Sequence, residues 1–429
     1  MMKRIGRVLG KIMEHWKFIS LVLVLLVTFR YEGAPPSQLE TQIQRRVVTA
    51  EFDFLGWEIR ALWDKLTQGL LSPQRYMSEE DRRALLLEYL RLLDEIRHLN
   101  WEIEQAYIDP EVEDPDAATA ELRTRLDELR QEEDARQPLA ESILQDQTAV
   151  VLRDAGFGSL GQEFPPISSH FTPLPSLLVV SPRDRIENVY SVGLEHGLTT
   201  TEREEIEEDI DGELDVSSLV TGIGGLAAYP AMLLESSSVN WVFEVTAHEW
   251  SHHYLTLRPL GWNYMSSGET RAINETVASI VGKEIGREAI ARYYPEYLPP
   301  EPEPEPEEPD ESEEEPEPPA FDFREEMHKT RVRVDELLAE GKVEQAELYM
   351  ELRRQEFVEN GYYIRKLNQA YFAFHGAYAD QPGASGEDPI GPAVRELRAK
   401  SPDLQTFVKM AAGVTTLEEL QAVLEGLES

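Results

Sequence analysis

The chain has 429 residues, enough for two or three domains with a sizeable core. Its 41 Lys and Arg stand against 81 Asp and Glu, and the formal net charge of −40 argues against nucleic acids and anionic lipid surfaces as partners of the soluble part. The absence of cysteine excludes disulfides, thiolate metal ligands and cysteine nucleophiles. Any metal must therefore be held by histidine and carboxylate side chains.

The N-terminus combines basic residues with an apolar run. Lys and Arg at five positions between 3 and 17 precede Phe18 to Phe29, a run shorter than the roughly twenty residues of a spanning helix. No small-residue cleavage site follows it. We therefore expect residues 1–36 to be an uncleaved signal-anchor and linker, with the rest of the chain outside the cytoplasm as a single-pass membrane protein. A cleaved signal peptide of a secreted protein is the alternative.

Residues 37–155 have the pattern of a helical hairpin or bundle. The segment 38–44 is interpreted as a polar linker, and a pause is expected at Pro138 within the last helical stretch. A structural spacer is the simplest interpretation of this region, and a module that binds partners or gates substrate is the alternative. The apolar spacing predicts helices over 47–71, 78–106 and 117–153.

The composition changes after residue 156, where a new unit is expected to begin and to extend to residue 298. Leu177 to Val180 and Ser217 to Tyr229 are predicted to be strands, because they are apolar runs bounded by proline and other turn residues. An acidic helix is expected between them over about 201–213.

The most informative stretch lies within residues 242–283. His248 and His252 are four residues apart, so a helix places both imidazoles on one face, one turn apart, where they can hold a single cation. Glu249 lies at the rim of that face, where it can activate water without being a ligand. The helix can start near Ser238 or Asn240, both of which are good N-caps, and must end before Pro259.

A catalytic zinc requires three protein ligands and an open fourth position. Glu275 is the best third candidate, because it lies in a second helical pattern over about 269–292. A helix–loop–helix hairpin would bring its carboxylate beside the two imidazoles. His253 is more simply interpreted as a packed histidine than as part of the site.

The motif His248-Glu249-x-x-His252, followed by Asn274-Glu275-x-x-Ala278, resembles the gluzincin clan of zinc peptidases, which contains the thermolysin-like and aminopeptidase-N-like enzymes. The resemblance covers about a tenth of the chain. It implies one Zn²⁺ bound by both histidines and Glu275, with Glu249 as general base. It also implies a mainly α-helical fold with a small β-sheet (α+β), in which a gluzincin-like core follows the N-terminal helices.

The sequence departs from the gluzincin pattern at Ser279, where thermolysin-like enzymes have an aspartate that orients a zinc-bound imidazole. Glu244 is a candidate for that role, and a solvated helix residue is the alternative. The resemblance also implies that an edge strand near 222–232 pairs with the substrate backbone. No Gly-x-Met-Glu-Asn motif is present there, so aminopeptidase specificity is not expected.

The C-terminal part divides into an acidic linker and a helical subdomain. Residues 299–320 form a Pro/Glu tract that is predicted to be disordered, and residues 321–429 are predicted to complete the active site. Related enzymes stabilise the oxyanion with Tyr or His on a later helix, which makes Tyr371 and His375 the candidates; an aromatic core stripe is the alternative. Helices are predicted over 323–339, over 343–374 and as a closing pair over 388–429.

These observations favour a membrane-anchored or exported zinc metallopeptidase that acts on peptides or proteins and binds no nucleic acid. The alternative is a non-catalytic, membrane-anchored helical scaffold with a structural or relic metal site.

Overall fold

The structure is a computed structural model that describes residues 37–71, 73–108, 112, 114–159, 161–299, 321–376 and 389–428. The predicted signal-anchor and the acidic tract from residue 300 onward lie outside these ranges. Within them, no helix combines the length and the apolar character needed to cross a membrane. The described chain is mainly helical with small β-sheets, which confirms the predicted fold class at that level.

The N-terminal helices differ from the prediction at three points, the first being that the helix expected over 47–71 begins only at Phe54. The segment expected to be a polar linker is a helix, because Ser37 and Glu40 form a capping box and Ile43 and Val47 are buried one turn apart. The last long helix continues through Pro138 without a pause, since its packing against neighbouring helices outweighs the cost of an internal proline. The helices are α1 (Gln38–Val47), α2 (Phe54–Leu71), α3 (Glu79–Ile108), α4 (Pro115–Ala118) and α5 (Ala120–Leu152).

In the described part of the chain, eight short strands follow, interrupted by one acidic helix, α6 (Thr200–Leu214). The predicted strand at 177–180 and the acidic helix are confirmed. The predicted strand at 217–229 is divided, because its residues contribute to two different sheets. The strands are β1 (Gly158–Ser159), β2 (Gln162–Glu163), β3 (Ser169–Phe171), β4 (Ser176–Pro182), β5 (Tyr190–Leu194), β6 (Val216–Thr221), β7 (Gly225–Leu226) and β8 (Ala231–Leu233).

The strands form three small sheets among the described residues. In the first, β1 pairs with β2, and in the second the order β5-β4-β6 is antiparallel throughout. The third has the order β3-β8-β7, with β3 parallel to β8 and β7 antiparallel to β8 at the edge. Strand β8 leads directly into the helix that carries the two histidines.

The two helices predicted around the His and Glu motifs are confirmed within one or two residues. They are α7 (Val239–Thr256), capped by Ser238, and α9 (Gly268–Tyr293), capped by Ser267. The short helix α8 (Pro259–Trp262) connects them. Among the described elements, α7 and α9 form the most extensive mutual contact, so the hairpin is the centre of the fold.

The C-terminal helices correct two predictions. The helix expected over 343–374 ends at Glu359, because Gly361 adopts a left-handed conformation with φ +87°, and Asn368 then caps a new helix. The closing pair is three helices, since Asp403 caps an additional one. The helices are α10 (Phe323–Ala339), α11 (Val343–Glu359), α12 (Gln369–His375), α13 (Ile390–Lys400), α14 (Leu404–Ala411) and α15 (Leu417–Glu428).

The largest hydrophobic cluster joins these parts of the chain. Apolar residues of α3 and α5 share it with those of α7 and α9 and with those of α13, α14 and α15. Helix α12 packs against β4 and β6 in a separate small cluster that contains Val179, Leu219 and Ala370. The large cluster thus packs α7, the helix that carries both histidines of the motif, on several sides.

Candidate metal centre

Two glycines of α9 allow it to approach α7 closely beside the first histidine. A Cβ atom at Gly282 would lie 2.8 Å from the backbone oxygen of Glu244 and 3.1 Å from Cβ of His248. A Cβ atom at Gly286 would lie 2.9 Å from the Cα atom of Glu244. Larger residues at these positions would push the helices apart. The glycine pair therefore sets the distance between the histidines on α7 and the carboxylate on α9.

The three predicted ligands converge. Nε2 of His248 and Nε2 of His252 are 3.1 Å apart, and Oε2 of Glu275 lies 3.5 Å from the first and 3.6 Å from the second. A tetrahedral zinc with bonds of about 2.0–2.2 Å requires ligand atoms separated by about 3.3–3.6 Å. Both distances to Glu275 lie in this range and the distance between the two nitrogens is slightly shorter, so the triangle is close in size to a zinc site. These residues are the one group of this kind among the residues that the structure describes.

The three candidate ligands also have the chemistry that a bound cation requires. Glu275 is 4% exposed, and its Oε2 atom is buried without a hydrogen-bond donor. A buried carboxylate oxygen without a partner is costly, and a metal ion held between it and two imidazole nitrogens removes that cost. Burial opposes ionisation of Glu275, but His252, His248 and Tyr264 outweigh it and lower its pKa to about 2. Burial lowers the pKa of His252, which favours the neutral, ligating form.

Two neighbouring side chains orient the ligands. Oδ1 of Asn274 lies 2.8 Å from Nδ1 of His252, so Nδ1 carries the proton and Nε2 presents its lone pair. The hydroxyl of Tyr264 donates to Oε1 of Glu275 over 2.5 Å, which leaves Oε2 directed at the imidazoles. Asn274 thus gives His252 the orienting hydrogen bond for which Glu244 was the candidate in place of the missing aspartate at Ser279; a supporting role for Glu244 stays a prediction.

Glu249 is buried beside the edge strand β7. Its side chain is 5% exposed, and a Cβ atom at Gly225 would lie 2.3 Å from its Oε1 atom, so only glycine leaves room for the carboxylate. Burial raises the pKa of Glu249 to about 7, with a smaller opposing effect from His248 and a further increase from Glu275. None of the described residues donates a hydrogen bond to this carboxylate. Without a metal ion beside it, this carboxyl group therefore exchanges its proton near neutral pH.

His253 is a packed histidine, as expected. It is 3% exposed, its Nε2 donates to the backbone oxygen of Ala228 over 2.6 Å, and its ring lies edge-on against Tyr229. Burial lowers its pKa to about 4. The side chain fixes the segment between β7 and β8, which in turn positions the edge strand beside Glu249.

Helix α12 faces the metal centre across a cavity of about 180 Å³. Ala373 and Phe374 of α12 line the cavity together with Glu275 and Tyr264. Tyr371 and His375 are on the same helix with ring centroids 4.3 Å apart, but they are not among the lining residues. Burial raises the pKa of Tyr371 to about 12 and lowers that of His375 to about 4. Their role in stabilising an oxyanion stays a prediction.

The sequence analysis did not identify Tyr264, Gly282 or Gly286 as part of the site. Tyr264 lies in the connection between the two helices, and nothing in its local sequence distinguishes it from an exposed aromatic residue. Gly282 and Gly286 did carry a signal, because two glycines four residues apart inside a helix mark a face that another backbone can approach.

Comparison with known proteins adds no assignment: the chain matches no protein-family model, no curated protein and no solved structure.

Proposed function

We propose that the protein is a zinc-dependent peptidase of gluzincin type. The observation that carries the proposal is the convergence of His248, His252 and Glu275, with an unpartnered carboxylate oxygen directed at two imidazole nitrogens. The buried acid Glu249 stands next to a ligand in the chain and against an edge strand. A structural site would not require such an acid.

The residues of the chain supply the proton transfers of hydrolysis. When bound, zinc supplies a Lewis acid that polarises a carbonyl and lowers the pKa of water. The carboxylate of Glu249 takes a proton from the attacking water and returns it to the leaving nitrogen, for which a pKa near neutrality is suitable. The edge strand β7 offers backbone groups with which an extended peptide can pair. Tyr371 or His375 is the proposed oxyanion donor.

The cavity between α9 and α12 favours the peptidase over a non-catalytic scaffold. A structural zinc site has four protein ligands and a closed coordination sphere, whereas a catalytic site keeps a position open for substrate. Three candidate ligands are present, and Glu275 lines the cavity. We further propose that the N-terminal segment anchors or exports the protein, so that its peptide or protein substrates lie outside the cytoplasm.

The decisive experiment compares Glu249→Gln with His252→Ala in the full-length protein. We expect one zinc per chain in wild type and in Glu249→Gln, and loss of zinc in His252→Ala, measured by elemental analysis. Peptide hydrolysis should fall on the order of 10²–10⁴-fold in Glu249→Gln, because its proton transfer is removed. Equal hydrolysis by wild type and Glu249→Gln, or no hydrolysis by the zinc-loaded wild type, would overturn the proposal in favour of the scaffold.

A further inference from the structure

The cavity beside Glu275 contains an arginine. Its walls are formed by α9, by the connection that precedes α9, by α12 and by the β4–β5 region. Most of the lining is apolar or neutral, and Arg271 and Glu275 supply its ionisable groups. The lining residues are Leu177, Asn188, Ser191, Tyr264, Met265, Arg271, Glu275, Ala373 and Phe374.

Arg271 is on the same helix as Glu275 and four residues before it, so both side chains leave one face of α9 a single turn apart. It is 8% exposed. Its Nη2 atom lies 3.8 Å from the sulfur of Met265, and its guanidinium carbon lies 5.7 Å from the ring centroid of Tyr264. These contacts are made with neutral groups.

None of the carboxylates in the described part of the chain forms an ion pair with Arg271. Other charged side chains on α9 are paired: Arg292 contacts Asp154 at 2.6 Å, and Glu284 contacts Arg398 at 2.6 Å. A buried guanidinium without a counter-ion is costly. An anion that entered the cavity would remove that cost, and a carboxylate matches the planar fork of the guanidinium in two hydrogen bonds.

We infer that this cavity is a substrate subsite in which Arg271 binds a carboxylate of the peptide. The inference rests on the proposed peptidase function and defines the substrates as peptides with a carboxylate near the bond to be cleaved. One helical turn is about 5.4 Å, and an extended peptide advances about 3.3–3.6 Å per residue. The carboxylate therefore lies within one or two residues of that bond. It belongs either to the C-terminus of a short peptide or to an Asp or Glu side chain.

Binding measurements separate these two sources and do not depend on turnover. The zinc-loaded, full-length Glu249→Gln variant is titrated with three fluorescently labelled peptides of the same neutral sequence. The first has a free C-terminal carboxylate, the second a C-terminal amide, and the third a C-terminal amide with one internal Glu. We expect one of the two carboxylate peptides to bind on the order of ten- to a hundredfold more tightly than the neutral peptide. The identity of that peptide assigns the source.

Arg271→Gln should abolish this preference and reduce all three affinities to that of the neutral peptide. Arg271→Lys should retain part of it, since the charge remains but the fork is lost. Arg292→Gln is the matched control, because it removes a charge from the far end of the same helix and should leave the preference unchanged. Zinc content and melting temperature test whether Arg271→Gln is folded. If it is not folded, Arg271→Lys is compared with the parent protein instead.

Equal affinity for all three peptides, or a preference that survives in Arg271→Gln, overturns the inference. Failure of the proposed function would be a separate result. It would appear as absence of hydrolysis by the zinc-loaded wild type, regardless of the affinities measured for the three peptides.

Discussion

Two buried glutamates of this protein, Glu141 on α5 and Glu275 on α9, have opposite surroundings. Glu141 is fully buried and forms an ion pair with Lys65, and His170 lies 3.0 Å from its Oε1 atom. Its oxygens also accept hydrogen bonds from the backbone of Phe171 and from the side chains of Gln68 and Gln137. Glu275 accepts one hydrogen bond, from Tyr264, and its second oxygen has no donor.

The difference distinguishes a structural carboxylate from a candidate ligand. Burial opposes ionisation of both groups, but Lys65 and His170 lower the pKa of Glu141 well below its usual range, as the histidines and Tyr264 do for Glu275. A low pKa with a histidine nearby is therefore common to both sites and does not identify a metal centre. The distinguishing feature is the unsatisfied oxygen directed at two imidazole nitrogens.

Exchanging each glutamate for glutamine tests this distinction and should give the largest effects. Glu141→Gln leaves the buried ammonium of Lys65 without its counter-ion, so we expect the free energy of unfolding to fall by about 3–5 kcal/mol. The zinc content of Glu141→Gln should not change.

Glu275→Gln should lose zinc. The free energy of unfolding of the metal-free protein should change by about 1 kcal/mol or less, because Tyr264 can still donate to the amide oxygen.

Chemical unfolding in the presence of a chelator, together with elemental analysis, measures both effects. The distinction fails if Glu141→Gln loses zinc at unchanged stability, or if Glu275→Gln retains one zinc per chain.

The support of the ligands provides a second, smaller test. Asn274→Ala removes the acceptor that fixes the tautomer of His252, and we expect the affinity for zinc to fall on the order of 10–100-fold. Asn274→Asp retains an acceptor of the same shape and is the matched control. Competition with a metal-binding dye measures both affinities. If Asn274→Ala binds zinc as tightly as wild type, His252 is held by its packing alone.

The same two sites show what could be predicted from the sequence. His248, His252 and Glu275 were predicted because helical spacing places the first two on one face and a second helical pattern carries the third. The ends of α7 follow from the capping residues near 238–240 and from the proline after it, whereas the extent of α9 follows from its helical pattern alone. These are local rules, and the structure confirms the helices that they predicted.

Features that depend on distant residues were not predicted. Lys65 and Glu141 are 76 positions apart, and no local pattern pairs them. Arg271 is unusual only because it forms no ion pair with a carboxylate of the described residues, and this cannot be known without the packed structure. The break between α11 and α12 was missed because an apolar and aromatic pattern continues across a single left-handed glycine, Gly361.

A third buried glutamate extends the comparison to a carboxyl group without a cation beside it. Glu58 on α2 is 2% exposed and forms no ion pair with the described residues. Burial raises its pKa from 4.5 to about 7, against a smaller opposing effect from the backbone of Tyr229. The folded state therefore binds this proton more tightly than the unfolded state. The stabilising contribution is fully present below pH 4.5 and is lost as the pH rises through about 7.

Glu58→Gln should be more stable than wild type at pH 8 by about 1–3 kcal/mol, because the wild-type carboxyl group is then ionised in its buried site whereas the amide stays neutral. Near pH 4 the two proteins should be similar, since the wild-type carboxyl group is then protonated. Unfolding by urea at pH values from 4 to 8, with chelator present, measures the difference. A difference that does not change with pH would mean that folding does not raise the pKa of Glu58, and burial without a cation would then not be what separates it from Glu141 and Glu275.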